Sequence, residues 1–291
     1  MSLVPRSERN DEVAVVVVLY NPDAESLAHV RELAGVWRHV FAVSNGITDA
    51  QRVELAAIDG LSLIENPGNV GLARALNQGI ELSLASTASF ILLLDQDSRL
   101  PSGTIGLLVQ GAKRLRDANV PVGCVAPRLV DRKAPEASVG TPGEPLTVAT
   151  SGSLLTREAV LAVGQMWDEL FIDGIDHEWC FRARAKGFAV VLDREATLTH
   201  DMGEGGIRIG NRFRPIHRSP FRHYYIVRNT LWLQSRSYIP LRWRLRELVK
   251  LAYRAPIYLL VSDDRKETLL ALFRAVRDGT FNRSRARVLA T

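Results

Sequence analysis

Apolar and polar residues alternate along this chain in blocks that read strand, helix, strand. Val13 to Tyr20 is an unbroken apolar run dominated by valine, which predicts a central strand. Asn21-Pro22-Asp23 ends it with a turn signal. Over Ala24 to Trp37, Leu27, Val30, Leu33 and Ala34 share one face of a predicted helix. His39 to Val43 predicts a second strand closed by Ser44-Asn45-Gly46, Gln51 to Ile58 a short helix, and Leu61 to Ile64 a third strand. This βαβαβ order with short connections is the pattern of a doubly wound parallel sheet. Phe90 to Leu94 is apolar at every position, as a strand covered on both faces must be. Further on, Ser102 to Asp117 predicts a helix, Val122 to Pro127 a strand, and Asp131 to Pro145 a surface loop rich in Pro and Gly. Val148 to Leu155 is strand-like around Gly152, Thr156 is placed to cap a helix, and Phe188 to Leu192 predicts another strand. From Tyr224 to Arg236, and from Leu241 to Val261, apolar and arginine positions recur at helical spacing, with Pro240 and Pro256 bounding or kinking these helices.

Composition narrows the class. The chain has 291 residues, 46% apolar and 24% charged, which fits one large α/β domain or a domain with an appended region. The longest apolar run is far short of the roughly 20 residues that a membrane-spanning helix needs. An acidic Glu8 to Glu12 stretch ahead of that run speaks against a signal peptide. Cys124 and Cys180 form no metal spacing, so reduced thiols and a cytoplasmic setting are expected. Charge is unevenly distributed. From Ile207 onward 19 Lys and Arg face 5 Asp and Glu, a balance of +14 in a chain whose total is +5. The C-terminal part therefore presents either an ordinary solvated basic face or one that meets an anionic surface. The amphipathic basic helices there can rest on the sheet or on a membrane surface.

Two acidic clusters carry the candidate chemistry. Asp95 and Asp97 follow directly on the Phe90 to Leu94 strand, and ligands of open α/β sheets sit beyond such strand ends. Paired carboxylates suit Mg²⁺ or Mn²⁺, hard cations that keep waters and take substrate phosphates; an Asp- and Ser-rich turn closing a core strand is the plainer alternative. Asp173, Asp176 and Glu178 lie at a loop-to-helix junction among Phe171, Ile172, Ile175 and Trp179, a mixed setting that can tune a general base. Acids at a helix start are also favourable in themselves. The Asn66 to Gly71 loop runs into a helix start whose N–H groups favour anions, with Arg74 in its first turns. There is neither a G-x-G-x-x-G fingerprint nor a P-loop lysine. His200 follows a strand end, as the Asp95/Asp97 pair does.

In chain order, Leu19-Tyr20-Asn21-Pro22, Val43 to Gly46, Asn66 to Ala73, Asp95 to Ser98, Ser151-Gly152, Phe171 to Arg182, His200 and Tyr224 to Asn229 resemble the motifs of the inverting glycosyltransferases of family 2. The closest likeness is to bacterial rhamnosyltransferases of O-antigen and related cell-surface polysaccharides, over roughly residues 13 to 235. The resemblance implies a GT-A fold, with residues 1–206 as the nucleotide-sugar-binding and catalytic core and 207–291 as a basic helical extension completing the acceptor side. It implies a nucleotide-sugar donor, dTDP-L-rhamnose, a saccharide or lipid-linked acceptor, and a divalent Mg²⁺ or Mn²⁺. Asp95-Gln96-Asp97 looks like the family's DxD, with Asp97 on the metal and Asp95 on the donor; His200 matches a further metal ligand. Asp176 falls at the catalytic base, although Ile175 replaces the usual Glu before it, and Asp173 is its nearest competitor. Ser44 replaces the Asp that pairs with the nucleotide base in many relatives, which shifts that contact toward Asn45 or the backbone. Tyr20, Asn21, Asn69 and Arg74 complete the expected donor side, and Gly152, Glu178, Trp179 and Arg228 the acceptor side. A cytoplasmic setting is expected, with a peripheral position at the inner face of the cytoplasmic membrane if the basic region meets an anionic surface; no nucleic acid is expected, and a homo-oligomer is compatible with the chain. Two other classes compete: a metal-dependent nucleotidyltransferase, which lacks support because Tyr20-Asn21-Pro22-Asp23 stands where its Gly-rich loop belongs, and a non-catalytic protein binding nucleic acid or anionic membrane.

Overall fold

The computed structural model describes residues 9–131, 146–200, 205–209, 212–216 and 218–281, without the side chains of 131, 200, 205–209 and 212–216. The valine run forms β1 (Asn10–Leu19), which pairs in parallel with β2 (Trp37–Ser44) on one side and β4 (Phe90–Asp95) on the other. β3 (Leu61–Glu65) adds in parallel beyond β2. Strand side chains alternate between faces, and the core divides accordingly. Ala14, Val16 and Val18 face Leu76 and Ile80 of α3 (Leu72–Ala85), whereas Val15, Val17 and Leu19 face Leu27, Val30 and Leu33 of α1 (Ala24–Val36). α3 lies close on β1: a Cβ at Gly79 would stand 2.3 Å from Val16 Cγ1. α2 (Asp49–Ala56) begins at a capping box in which Thr48 and Gln51 satisfy each other's backbone amides.

Beyond β4 the sheet turns mixed. β6 (Leu154–Thr156) runs antiparallel between β4 and β5 (Val122–Asp131), and β7 (Ala189–His200) is parallel to β5. The order of the seven strands is β3-β2-β1-β4-β6-β5-β7. The strand expected over 148–155 is thus cut to 154–156. Gly152, at φ 81°, turns the chain so that its own N–H donates to Leu93 O while Leu93 N–H donates to Ser153 O. α4 (Thr104–Asp117) packs on β5 and β7, and α5 (Arg157–Val163) follows β6. At its start, the Arg157 guanidinium donates to the carbonyls of Ser83, Leu84, Ser86 and Ala88 and so closes the C-terminal end of α3.

α6 (Ile175–Ala185) leads into β7, and a two-stranded hairpin, β8 (Gly205–Ile209) and β9 (Arg212–Ile216), precedes three C-terminal helices. These are α7 (Pro220–Leu233), α8 (Leu241–Val261) and α9 (Arg265–Phe281). Pro240 stands immediately before α8 and Pro256 lies within it. α7 seats on the sheet domain by stacking Trp232 on Trp167, 5.6 Å between ring centres. Trp243 of α8 meets Phe181 and His177 of α6 edge-on. α9, which lies beyond the elements predicted from the sequence, packs chiefly on α7, with Gly279 against Leu231.

Candidate active site

Strand register brings together the turns that carry the expected donor-side residues Tyr20, Asn21, Asn45 and Asp95. Leu19 lies opposite Ser44, and Val18 opposite Asp95, so β1, β2 and β4 end on one line. Their turns are then tied to one another. Asn21 N–H donates to Gly46 O and Asn45 N–H to Leu19 O. Gln96, the residue between the two acids, holds Tyr20 by both backbone groups: it accepts from Tyr20 N at 2.8 Å and donates to Tyr20 O at 3.1 Å. Asp95 is positioned by its backbone, whose N–H donates to Ser151 Oγ; Ser151 Oγ in turn bonds Ser98 Oγ at 2.7 Å. Asp97 stands in the same turn, half-buried. The paired backbone bonds of Arg99 and Thr199 set the end of β7, and with it the backbone of His200, beside this turn. The side chain of His200 lies outside the described residues, as does Asp201.

The loop before α3 is cross-braced. Asn45 Nδ2 donates to Gly71 O, Asn66 Nδ2 donates to Asn45 Oδ1 and to Gln78 Oε1, and Gln78 Nε2 returns a bond to Asn66. Asn45 is buried and its amide is committed to this loop. At the start of α3, Gly71 N–H donates to Asn69 Oδ1 and Ala73 N–H to Phe171 O. Arg74, Asn69, Tyr20 and Asn21 are exposed, and Arg74 forms no ion pair among the described residues.

The second acidic cluster meets this loop at one point. Phe171 lies against Gly71 so closely that a Cβ there would stand 2.6 Å from the ring, and Gly71 itself sits at φ 91°. From Phe171 the chain takes left-handed φ angles at Phe171, Asp173 and Gly174, then enters α6. Such angles are strained for a phenylalanine and persist only when neighbours impose them. Here the neighbours are on α7. Asn229 Nδ2 donates to the carbonyls of Leu170, Ile172 and Asp173, and Arg228 Nη2 to those of Glu169 and Leu170. Phe171 stacks on Tyr225 at 4.8 Å. Segment 147–153 closes the other side, with Ser151 at Asp95 and Thr147 Oγ1 bonded to His177 Nδ1.

The three acids of this cluster fall into different surroundings. Asp173 is held in a two-point ion pair by Arg222 of α7, both contacts at 3.1 Å. Asp176 is half-buried and accepts only the His177 backbone N–H among the described residues. Glu178 is 2% exposed, chelated by Arg182 and bonded to the Tyr238 hydroxyl. Burial, and then the Glu178 carboxylate beside it, keep that phenol protonated well above its ordinary range. The expected acceptor-side residues all lie inside the fold. Glu178 is an internal brace. Trp179 is buried with its indole N–H on Gly164 O. Gly152 is packed under Pro127 and Leu198, and Arg228 is buried between the Tyr225 and Trp232 rings. What faces outward there is Asp176, Asp173, Arg222 and the half-exposed Phe221. Arg222 and Asn229 had no assigned role in the sequence; their partners are a distant loop, which no local pattern announces.

Asp95 and Asp97 offer only oxygen donors on a strand-end turn. Among the described residues no three His, Cys, Asp or Glu side chains form a closed metal cage. An acidic pair without a cage fits Mg²⁺ or Mn²⁺, whose remaining positions go to water and substrate phosphate. No described helix is long and apolar enough to cross a membrane. Two concavities of about 380 and 570 Å³ lie elsewhere, at Asp193 beside α4 and at the opposite strand ends near Arg157.

Comparison with known proteins gives this arrangement a context. The glycosyl transferase family 2 profile matches residues 14–148. The dTDP-rhamnosyl transferase RfbF of Shigella flexneri is 32% identical over 254 residues, covering 82% of this chain and 86% of its own. Among solved structures, TarS of S. aureus superposes with a TM-score of 0.56 at 11% identity, over 94% of this chain and 50% of that one. The chain thus spans half of that TarS structure. Residues 1–349 of TarS in complex with UDP-GlcNAc give a TM-score of 0.54 at 12% identity, over 92% of this chain and 80% of the other. At such identities the likeness to TarS is one of fold.

Proposed function

This chain belongs to glycosyl transferase family 2, and from that premise we propose that it transfers a sugar, L-rhamnose from dTDP-L-rhamnose, to a saccharide or lipid-linked acceptor with inversion, in the synthesis of a cell-surface polysaccharide. The observation that carries the reading is twofold: Gly71 of the loop before α3 meets Phe171 of the acidic loop, and one short segment bonds the strand-end acidic turn through Ser151 and the start of α6 through Thr147. One sugar carbon placed between the two would have a leaving group on one side and a proton acceptor on the other.

Asp97 and Asp95, with His200 at the end of β7, would hold Mg²⁺ or Mn²⁺. Such an ion supplies charge neutralisation for a departing diphosphate. The exposed Arg74 and Asn69 lie on the same side and suit the diphosphate and base of the donor. Asp176 acts as general base and takes the proton of the acceptor hydroxyl as that oxygen attacks the anomeric carbon. The nucleoside diphosphate leaves from the opposite face, so a single displacement inverts the centre. Asp173 is less suited to the role, because both of its carboxylate oxygens are already engaged by the Arg222 guanidinium.

Calorimetry with dTDP, then product assays with dTDP-L-rhamnose, UDP-GlcNAc and other nucleotide sugars, test this reading. dTDP should bind in the presence of Mg²⁺ or Mn²⁺ and lose affinity in EDTA, and Asp97→Asn should weaken metal-dependent binding about tenfold or more. Binding indifferent to metal and to Asp97 would remove the metal from the proposal. Preference for a uridine donor would remove the rhamnosyl assignment.

A further inference from the structure

The core and the active site leave one large feature of the C-terminal helices unexplained. Exposed large apolar side chains number six on α8 and five on α9, against seven on all the other described residues. On α8, Leu241, Leu245, Leu248, Val249 and Leu260 recur at helical spacing, and the last two are 66% and 70% exposed. On α9, Leu269, Phe273 and Val276 repeat the spacing, with Phe273 71% exposed. These are not the residues that attach the helices to the protein. Trp243 and Tyr258 of α8, and Leu272 and Ala275 of α9, do that. Each helix is therefore apolar on two sides, one buried and one in water.

The same helices are strongly basic, with nine Lys and Arg against three Asp and Glu. Arg242 and Arg246 flank the α8 stripe, and Lys266 and Arg277 that of α9. An apolar stripe edged by cations suits an interface that is hydrocarbon at depth and anionic at its surface. A second copy of this chain would bring like charges together across the joint. α8, with 21 residues, would lie along a surface for about 30 Å, and it cannot span one.

We propose that the outer stripes of α8 and α9 dock this protein on an anionic lipid bilayer. Docking also has a consequence for the site. Both helices pack on α7, which carries Arg222 and Asn229 to the 170–174 loop. A bilayer against α8 and α9 would thus lie one helix away from the loop that leads into α6 and Asp176, where an acceptor anchored in lipid would be presented. The docking inference is independent of the donor sugar.

Co-sedimentation of the full chain with phosphatidylcholine vesicles, with and without phosphatidylglycerol, tests it. The protein should pellet with the anionic vesicles and be released by salt. Leu245→Glu combined with Val249→Glu should reduce that binding roughly tenfold or more. Both positions are exposed, so the fold should survive, and unchanged dTDP affinity and circular dichroism would confirm it. Arg242→Glu with Arg246→Glu should weaken binding by a similar factor. Lack of binding to anionic vesicles at low salt would overturn the proposal, as would binding unaffected by Leu245→Glu and Val249→Glu. A dimer by light scattering that these substitutions dissociate would assign the stripe to self-association instead. Because dTDP affinity is read separately, loss of lipid binding and loss of donor binding remain distinguishable.

Discussion

At the ends of β1, β2 and β4, the candidate site residues are placed by strands that pair in register, and their turns are joined by bonds such as Gln96 to Tyr20. Across residues 170–174 they are placed from outside, by Asn229, 57 residues beyond Ile172. The first region takes its rigidity from the sheet. The second holds left-handed angles at Phe171 and Asp173 that it would not keep alone. The difference suggests a division of labour: a fixed platform for the donor, and a clamped loop whose position decides whether the base meets the acceptor. Substitutions in the two regions should then separate binding from turnover.

The sharpest separation is expected at Asp176. Asp176→Asn keeps the shape and removes the proton-accepting charge, so turnover should fall by about two or more orders of magnitude. dTDP affinity should stay nearly unchanged, since the residue lies off the donor platform. Asp173→Asn is the control. It loses a partly exposed ion pair with Arg222, worth little in stability, and should cost less in rate. A larger loss at Asp173, or near-normal turnover in Asp176→Asn, would move the base.

A smaller effect is expected from cutting the clamp. Asn229→Asp keeps an acceptor for Arg228 but replaces the amide that serves three carbonyls. Thermal unfolding should show a loss of about 2–3 kcal/mol. Turnover should fall roughly ten- to hundredfold because the loop no longer holds the base in reach. dTDP titration should report an intact platform. If dTDP affinity collapsed in step with turnover, the two ends would be one unit and the division would fail.

The same contrast explains what could be read from the chain. β1 and β4 were legible because a strand buried on both faces has no polar position, and Asp95 marks where burial stops. The acidic loop was legible as a cluster, but the different surroundings of its acids were not. Asp176 and Glu178 are neighbours in sequence, but two residues on a helix turn the side chain by about 200°. One therefore opens outward while the other meets Arg182 and Tyr238 inside. Arg228 and Asn229 bond backbone carbonyls of a distant segment, and carbonyls carry no sequence signature. α9 escaped notice because apolar residues on its outer side blur the one-sided periodicity by which a helix on a globular core is read.

The smallest effect should come from the platform itself, at Gln96. Its side chain spans from the β4 turn to the β1 turn and meets both backbone groups of Tyr20. Gln96→Leu removes both bonds, yet water can replace them because Tyr20 is 52% exposed. Each bond is then worth less than the ordinary ~1 kcal/mol, and the sheet register on either side persists without them. Tyr20 and Asp97 would lose only their mutual alignment. dTDP affinity with Mg²⁺ should weaken about threefold, and turnover at saturating donor should not change. A variant that lost turnover more than affinity would mean that the β4 turn also positions the acceptor loop, and a platform separate from the clamp would no longer describe this site.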